Sequence, residues 1–152
     1  MQKKVIILRG LPGSGKTSAA KKMASQCVAG GGTVVTCSAD DFFLDALGDY
    51  KFDPTLLGRA HAECMHKFLK SLDAGIDLVI VDNTNTEIWE YQNYARATYL
   101  TRGEYILEIT TILEGAQSVP ELSISQIHEL ARRCTHGVSA QQIAAMALRW
   151  QT

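Results

Sequence analysis

The sequence predicts an α/β fold: a parallel sheet with helices on both faces. Three observations carry this. Short apolar runs alternate with helix-period segments along most of the chain. The stretch Gly10-Leu11-Pro12-Gly13-Ser14-Gly15-Lys16-Thr17 joins the first run to the first helix. Polar residues able to do chemistry follow the ends of the first three runs. Strands alternating with helices imply right-handed crossovers and parallel neighbours, and in such sheets ligands gather beyond the C-terminal strand ends.

The first strand is Val5-Ile6-Ile7-Leu8, and the first helix shows Ala20, Met23, Ala24, Cys27 and Val28 on one face. The turn between them has the pattern and context of a phosphate-binding loop. Gly10, Gly13 and Gly15 are expected to take backbone conformations closed to residues with a β-carbon. Successive N–H groups then point into one concavity at a helix N-terminus, where an anion belongs. Lys16 supplies a mobile positive charge for the β- and γ-phosphates, and the Thr17 hydroxyl can ligate magnesium. Residues Gly10, Pro12, Gly13, Ser14, Gly15, Lys16 and Thr17 are therefore the expected ATP-binding set. Charge-assisted hydrogen bonds contribute roughly 1.5–3 kcal/mol each, so a few reach the ~8 kcal/mol of a micromolar complex.

Gly30-Gly31-Gly32 caps the first helix, and Thr33-Val34-Val35-Thr36-Cys37-Ser38 reads as a buried β-branched strand. Asp40-Asp41-Phe42-Phe43 opens a loop, with a short helix, that runs to Pro54. A helix from about Thr55 to near Gly75 carries Leu56, Leu57, Ala60, Cys64, Met65, Phe68, Leu69 and Leu72 at close to helical spacing. The third strand, Leu78-Val79-Ile80-Val81, ends in Asp82-Asn83-Thr84-Asn85-Thr86, and a helix follows through Trp89, Tyr94 and Leu100. Tyr105 to Ile112 is a fourth strand whose partial alternation suggests a sheet edge. Glu114 to Pro120 reads as loop. Two helices close the chain, one with Ile124, Ile127, Leu130 and Cys134, the other with Ile143, Met146, Ala147 and Trp150.

With 152 residues, 46% of them hydrophobic and 20% charged, residues 1–152 read as a single globular domain. A net charge of −1 excludes a broad nucleic-acid-coating surface but leaves room for a local basic groove. The N-terminal apolar run is too short for a signal peptide, and no stretch reaches membrane-spanning length. The scattered cysteines Cys27, Cys37, Cys64 and Cys134 form no C-x-x-C pair and three fall on apolar faces, which suggests reduced, buried thiols in a cytoplasmic protein.

Asp82 ends its strand as a magnesium-positioning carboxylate would, or as a cap for the next helix. Thr84 and Asn85 suit capping or substrate contact. Asp40 and Asp41 are either an acidic helix start or the carboxylates that phosphate transfer to a hydroxyl requires, with Asp40 preferred as base and Asp41 beside the substrate. Arg132, Arg133 and His136 lie between the last two helices. They form either a basic helix end or a lid bringing cationic charge to the transferring phosphate, Arg133 foremost. His61, His66 and His128 have no ligand-type spacing. Trp89, Tyr91 and Tyr94 read as packing more than as a base-stacking surface.

Together Leu8 to Thr17, Ser38-Ala39-Asp40-Asp41-Phe42, Tyr50-Lys51-Phe52-Asp53-Pro54 with Ala60-His61, Asp82-Asn83-Thr84-Asn85, and Glu129 to Arg133 with His136-Gly137-Val138 resemble the kinase domain of phage-type polynucleotide 5′-kinases. They resemble still more a related branch of ATP-binding domains found in phages, bacteria and ubiquitin-ligase-binding proteins. The resemblance covers nearly the whole chain. It implies a P-loop NTPase fold with a four-stranded sheet of order 2-3-1-4 and a C-terminal helical lid. It also implies that Asp40 is the general base for a 5′-hydroxyl, that Lys16 and Thr17 hold triphosphate and magnesium, and that Arg133 clamps phosphate. The sequence departs from the phage kinases at Phe43 and His136, where arginines are expected.

The expected function is thus an ATP-dependent kinase acting on a 5′-hydroxyl of a polynucleotide or nucleotide. Catalytic Lys16, Asp40 and Arg133, nucleotide-binding His136, substrate-contacting Asp41, Asp82, Thr84 and Asn85, and metal-holding Thr17 and Asp82 complete the expectation. A small-molecule kinase and an ATP-binding switch or scaffold are the alternatives.

Overall fold

The computed structural model describes residues 1–113 and 118–152, so the expected loop Glu114 to Pro120 lies partly outside the described residues. Strands β1 (Lys3–Arg9), β2 (Val34–Cys37), β3 (Leu78–Asp82) and β4 (Tyr105–Thr111) pair in parallel in the order β2-β3-β1-β4. Helices α1 (Lys16–Ala29), α2 (Leu57–Asp73) and α3 (Ile88–Tyr99) alternate with them, and α4 (Ile124–Arg133) and α5 (Ala140–Leu148) follow.

Alternation along the central strands sorts their side chains between the two faces. Ile6, Leu8, Leu78 and Ile80 meet Ala20 and Met23 of α1 on one face. Val5, Ile7, Val79 and Val81 meet Ala60, Cys64 and Phe68 of α2 and Tyr91 and Tyr94 of α3 on the other. Phe68 is fully buried, edge-on to Tyr94 at 5.0 Å; truncating such a ring costs ~3–5 kcal/mol. The last two helices build a separate core from Ile127, Leu130 and Ile143, into which Leu11 of the glycine-rich loop is sunk.

Several expectations change. Strand β2 is an edge, with only Cys37 fully buried, because it has a neighbour on one side alone. Val28 is exposed because α1 ends one residue later, beyond the width of the sheet it covers. Helix α2 starts at Leu57, after a 3₁₀ turn (Pro54–Leu56) capped by Asp53, and leaves Leu56, Leu57 and Leu69 exposed. In α3 Tyr91 and Tyr94 are core residues, whereas Trp89 faces outward. The cysteines are all free thiols, but only Cys37 and Cys64 are buried, Cys27 and Cys134 being half-buried; burial pushes the Cys37 thiol up to about 12. Among the described residues no helix is long and apolar enough to cross a membrane.

Candidate active site

The register of the sheet sets the geometry. Leu8 pairs with Asp82, so the exits of β1 and β3 stand side by side. Gly10 N–H donates to the Thr84 carbonyl at 3.0 Å, and Ile112 N–H donates to the Arg9 carbonyl at 2.7 Å. The glycine-rich loop thus leaves the sheet between two fixed segments. Gly13 and Gly15 have φ of 80° and 98°, the left-handed conformation that glycine adopts at little cost. Gly10 does not share it. There a Cβ would come within 2.6 Å of Ser14 Oγ and 3.1 Å of the Ile112 carbonyl, so this glycine is required by space. At Gly13 both constraints act, since a Cβ would meet the Leu130 carbonyl oxygen of α4 at 2.2 Å.

Helix α1 begins at Lys16 with no side-chain cap and no acidic residue in its first turn, leaving its leading N–H groups to an anion. Ser14 Oγ is buried without a hydrogen-bond partner among the described residues. A hydroxyl left in that state costs roughly 1–3 kcal/mol, which a ligand oxygen beside it would offset. Lys16 Nζ donates to the Leu11 carbonyl at 3.2 Å. Burial pushes its ammonium below the usual value, while Asp82 and Asp40 pull it up.

Thr17 Oγ1 donates to Asp82 Oδ2 at 3.2 Å. Burial pushes the Asp82 carboxyl up, against the pull of Lys16 and Thr17. Two hard oxygens side by side, one of them a desolvated carboxylate, fit a magnesium ion that takes its other ligands from phosphate and water. Among the described residues no three His, Cys, Asp or Glu side chains converge on a metal-sized site.

Asp40 lies on a 3₁₀ turn (Ala39–Phe43) after β2, whose start is capped by Ser38 Oγ. Asn83 Oδ1 accepts from Ala39 N–H at 2.9 Å and ties this turn to the exit of β3. The structure separates the two expected carboxylates. Asp40 lines the cleft, whereas Asp41 turns toward Lys67 of α2, 4.0 Å away. Tyr50 donates its hydroxyl to Asp40 Oδ1 at 3.2 Å, and His136 Nδ1 lies 3.3 Å from Asp40 Oδ2.

The cleft encloses about 640 Å³ and brings Pro12, Gly13, Ser14, Gly15, Lys16, Thr17, Asp40, Asp82, Thr84, Arg133 and His136 together. Gly10, Asp41 and Asn85 do not line it. Asn85 is buried, with φ of 49°; its side-chain amide donates to the Leu8 carbonyl and its own carbonyl accepts from Arg9. Its substrate-contacting place is thus replaced by a brace for the loop. Ser38, Asn83, Cys134 and Thr135 line the cleft without having been singled out from sequence. The polar run after β3 pointed to Asn83, and the lid segment to the other two.

An uncapped helix N-terminus behind a glycine loop, with a strand-end carboxylate hydrogen-bonded to the loop threonine, defines a P-loop nucleotide-binding domain of the kinase-like α/β type. A family model described as an AAA domain matches residues 5–107, and the chain belongs to that family. NEDD4-binding protein 2 of Homo sapiens is 32% identical over 147 residues, which are 97% of this chain. The chain spans about 8% of that relative's length. A chain of the Pnkp1/Rnl/Hen1 RNA repair complex superposes with a TM-score of 0.66 at 19% identity, covering 97% of this chain and 43% of that one. A gluconokinase from Sinorhizobium meliloti 1021 superposes with a TM-score of 0.59 at 14% identity, covering 99% and 77%. At these identities the two likenesses are of fold.

Proposed function

We propose that the protein is an ATP-dependent kinase that transfers the γ-phosphate to a hydroxyl acceptor, the 5′-hydroxyl of a polynucleotide or nucleotide. The observation that carries this is the position of Asp40, a carboxylate that lines the same cleft as the phosphate loop and acts on the charge of Lys16. Hydrolysis or switching has little need of a carboxylate there; transfer to a hydroxyl does.

The acceptor oxygen forms a bond to the γ-phosphorus while the bond from that phosphorus to the β–γ bridging oxygen breaks. ADP leaves, and the acceptor proton passes to Asp40. The loop N–H groups and Lys16 hold the phosphates and stabilise charge that moves onto the leaving oxygen. Magnesium held by Thr17, with Asp82, would supply further neutralisation of the β- and γ-oxygens. Arg133, brought to the cleft at the end of α4, meets the transferring group from the lid side. The solved relative in an RNA repair complex supports a nucleic-acid acceptor as an analogy of fold.

One observation favours a second reading, an ATP-binding switch or scaffold. Phe43, where the polynucleotide kinases carry an arginine, is buried edge-on against Phe42, Tyr50 and Phe52 and offers no charge to an acceptor. Incubation with γ-labelled ATP and a panel of 5′-hydroxyl RNA, DNA, nucleosides and sugars separates the readings. Label on a 5′ end supports the kinase. Hydrolysis that no acceptor changes, with no labelled product, overturns it.

A further inference from the structure

We propose that the ring of Tyr50 is the stacking platform for the 5′-terminal nucleobase of the acceptor, and that His136 marks the place this base takes. The proposal rests on the kinase reading above and names the part of the acceptor that the site recognises.

Tyr50 has two separate relations to the chemistry. Its hydroxyl donates to Asp40, and its ring face lies parallel to the imidazole of His136, with centroids 4.0 Å apart and 12° between planes. His136 makes two contacts at once: a flat ring on Tyr50, and a nitrogen 3.3 Å from the second Asp40 oxygen. A 5′-terminal nucleoside offers the same pair of groups, a hydroxyl hydrogen for Asp40 and a flat ring for Tyr50. Both cannot occupy this place, so binding the acceptor moves His136 aside with the segment between α4 and α5.

The platform has aromatic neighbours in its own loop. Phe52 lies 9° from parallel to Tyr50 at 6.3 Å, and Phe43 stands edge-on to both rings at 6.1 and 5.0 Å. An isolated bridge between Leu44 and Tyr50 closes the loop that carries them. The buried Phe43 therefore has a physical role where the polynucleotide kinases use an arginine: it orients an aromatic surface beside the base. Stacking on aromatic side chains recognises any nucleobase and needs no charge, which matches a chain of net charge −1.

The test measures transfer to two 5′-hydroxyl oligonucleotides that differ only in an ordinary or an abasic 5′-terminal residue. Wild type is compared with Tyr50→Leu, Tyr50→Phe and His136→Ala. In wild type the abasic acceptor is expected to show KM raised about ten-fold or more at similar kcat, the range of one lost stacking contact. Tyr50→Leu should raise KM for the ordinary acceptor to the abasic level, while for the abasic acceptor it should match Tyr50→Phe, which lacks the same hydroxyl. Tyr50→Phe should keep the preference for a base, and His136→Ala should lower KM for the ordinary acceptor. Equal KM for both acceptors in wild type overturns the platform while leaving the kinase reading intact. Loss of the preference in Tyr50→Phe as complete as in Tyr50→Leu also overturns it, because the hydroxyl and not the ring would then be responsible. If wild type phosphorylates neither oligonucleotide, the polynucleotide acceptor falls and takes the platform with it.

Discussion

Arg9 and Asn85 lock the exits of the two central strands together. Arg9 Nε donates to the Asn85 carbonyl at 2.8 Å, and Asn85 Nδ2 donates to the Leu8 carbonyl at 2.8 Å. The same guanidinium donates to the carbonyls of Thr86 and Gln151 and lies over the rings of Tyr91 and Trp150, at 4.8 and 4.4 Å. Arg9→Ala takes the guanidinium donor from the Asn85 and Gln151 carbonyls, leaves Thr86 only its bond from the Gln151 N–H, and removes the cation from two rings. It should lower stability by about 2–4 kcal/mol, read as a shifted urea midpoint. An unchanged midpoint would show that the brace adds nothing to the fold.

Lys16→Ala should weaken ATP binding and abolish transfer while the thermal transition of the ligand-free protein stays in place or rises. Burial opposes the charge of this ammonium in the folded chain, so its loss costs the fold little. Calorimetric titration with unchanged ATP affinity would contradict the assignment.

Asp40→Asn keeps size and removes the proposed proton acceptor. We expect ATP binding to persist and transfer to fall by roughly 100-fold or more, the range for loss of a general base. Asp41→Asn should cost much less, because that carboxylate faces Lys67. An active Asp40→Asn beside a dead Asp41→Asn would reverse the two assignments.

Arg133→Ala should slow turnover by about two orders of magnitude with little change in the thermal midpoint if it acts on the transferring group as proposed. Single-turnover rates separate this from slower product release. A full rate in the variant would remove the lid arginine from the chemistry.

Asp77 gives a pH dependence far from the cleft. Hydrogen bonds from Thr33, the backbone N–H first at 2.8 Å and then the hydroxyl at 3.1 Å, hold its carboxyl below the ordinary value of 3.8. A carboxyl depressed in the folded state contributes stability above its unfolded value, and that contribution is lost as pH falls through the folded one. Asp77→Ala should therefore melt below wild type at pH 7, with the gap closing under about pH 3.8. A gap that stays constant with pH would assign the effect to packing.

The parts of the fold legible in the sequence are those set by local chemistry. The glycine loop, the apolar run ending in Asp82 and the spacing of Ala60, Cys64 and Phe68 each announce an element by themselves. The edge position of β2 was not legible, because a β-branched run reads alike at an edge and in the middle. Neither was the role of Asn85, since a polar residue after a strand reads as a cap or a ligand until its left-handed backbone is seen. Tyr50 reaches Asp40 only through the closure of the loop between Leu44 and Tyr50, a contact that no spacing encodes.

The contact between Gly13 and Leu130 leaves no room for a single methyl group between the phosphate loop and the helix that ends in Arg133. Two surfaces that close behave as one body: α4 cannot tilt inward without displacing the loop, nor outward without uncovering it. In the proposed kinase, a shift of α4 is then also a shift of the loop that would hold phosphate. By reciprocity, whatever fixes α4 in place tightens nucleotide by the same factor with which nucleotide fixes α4.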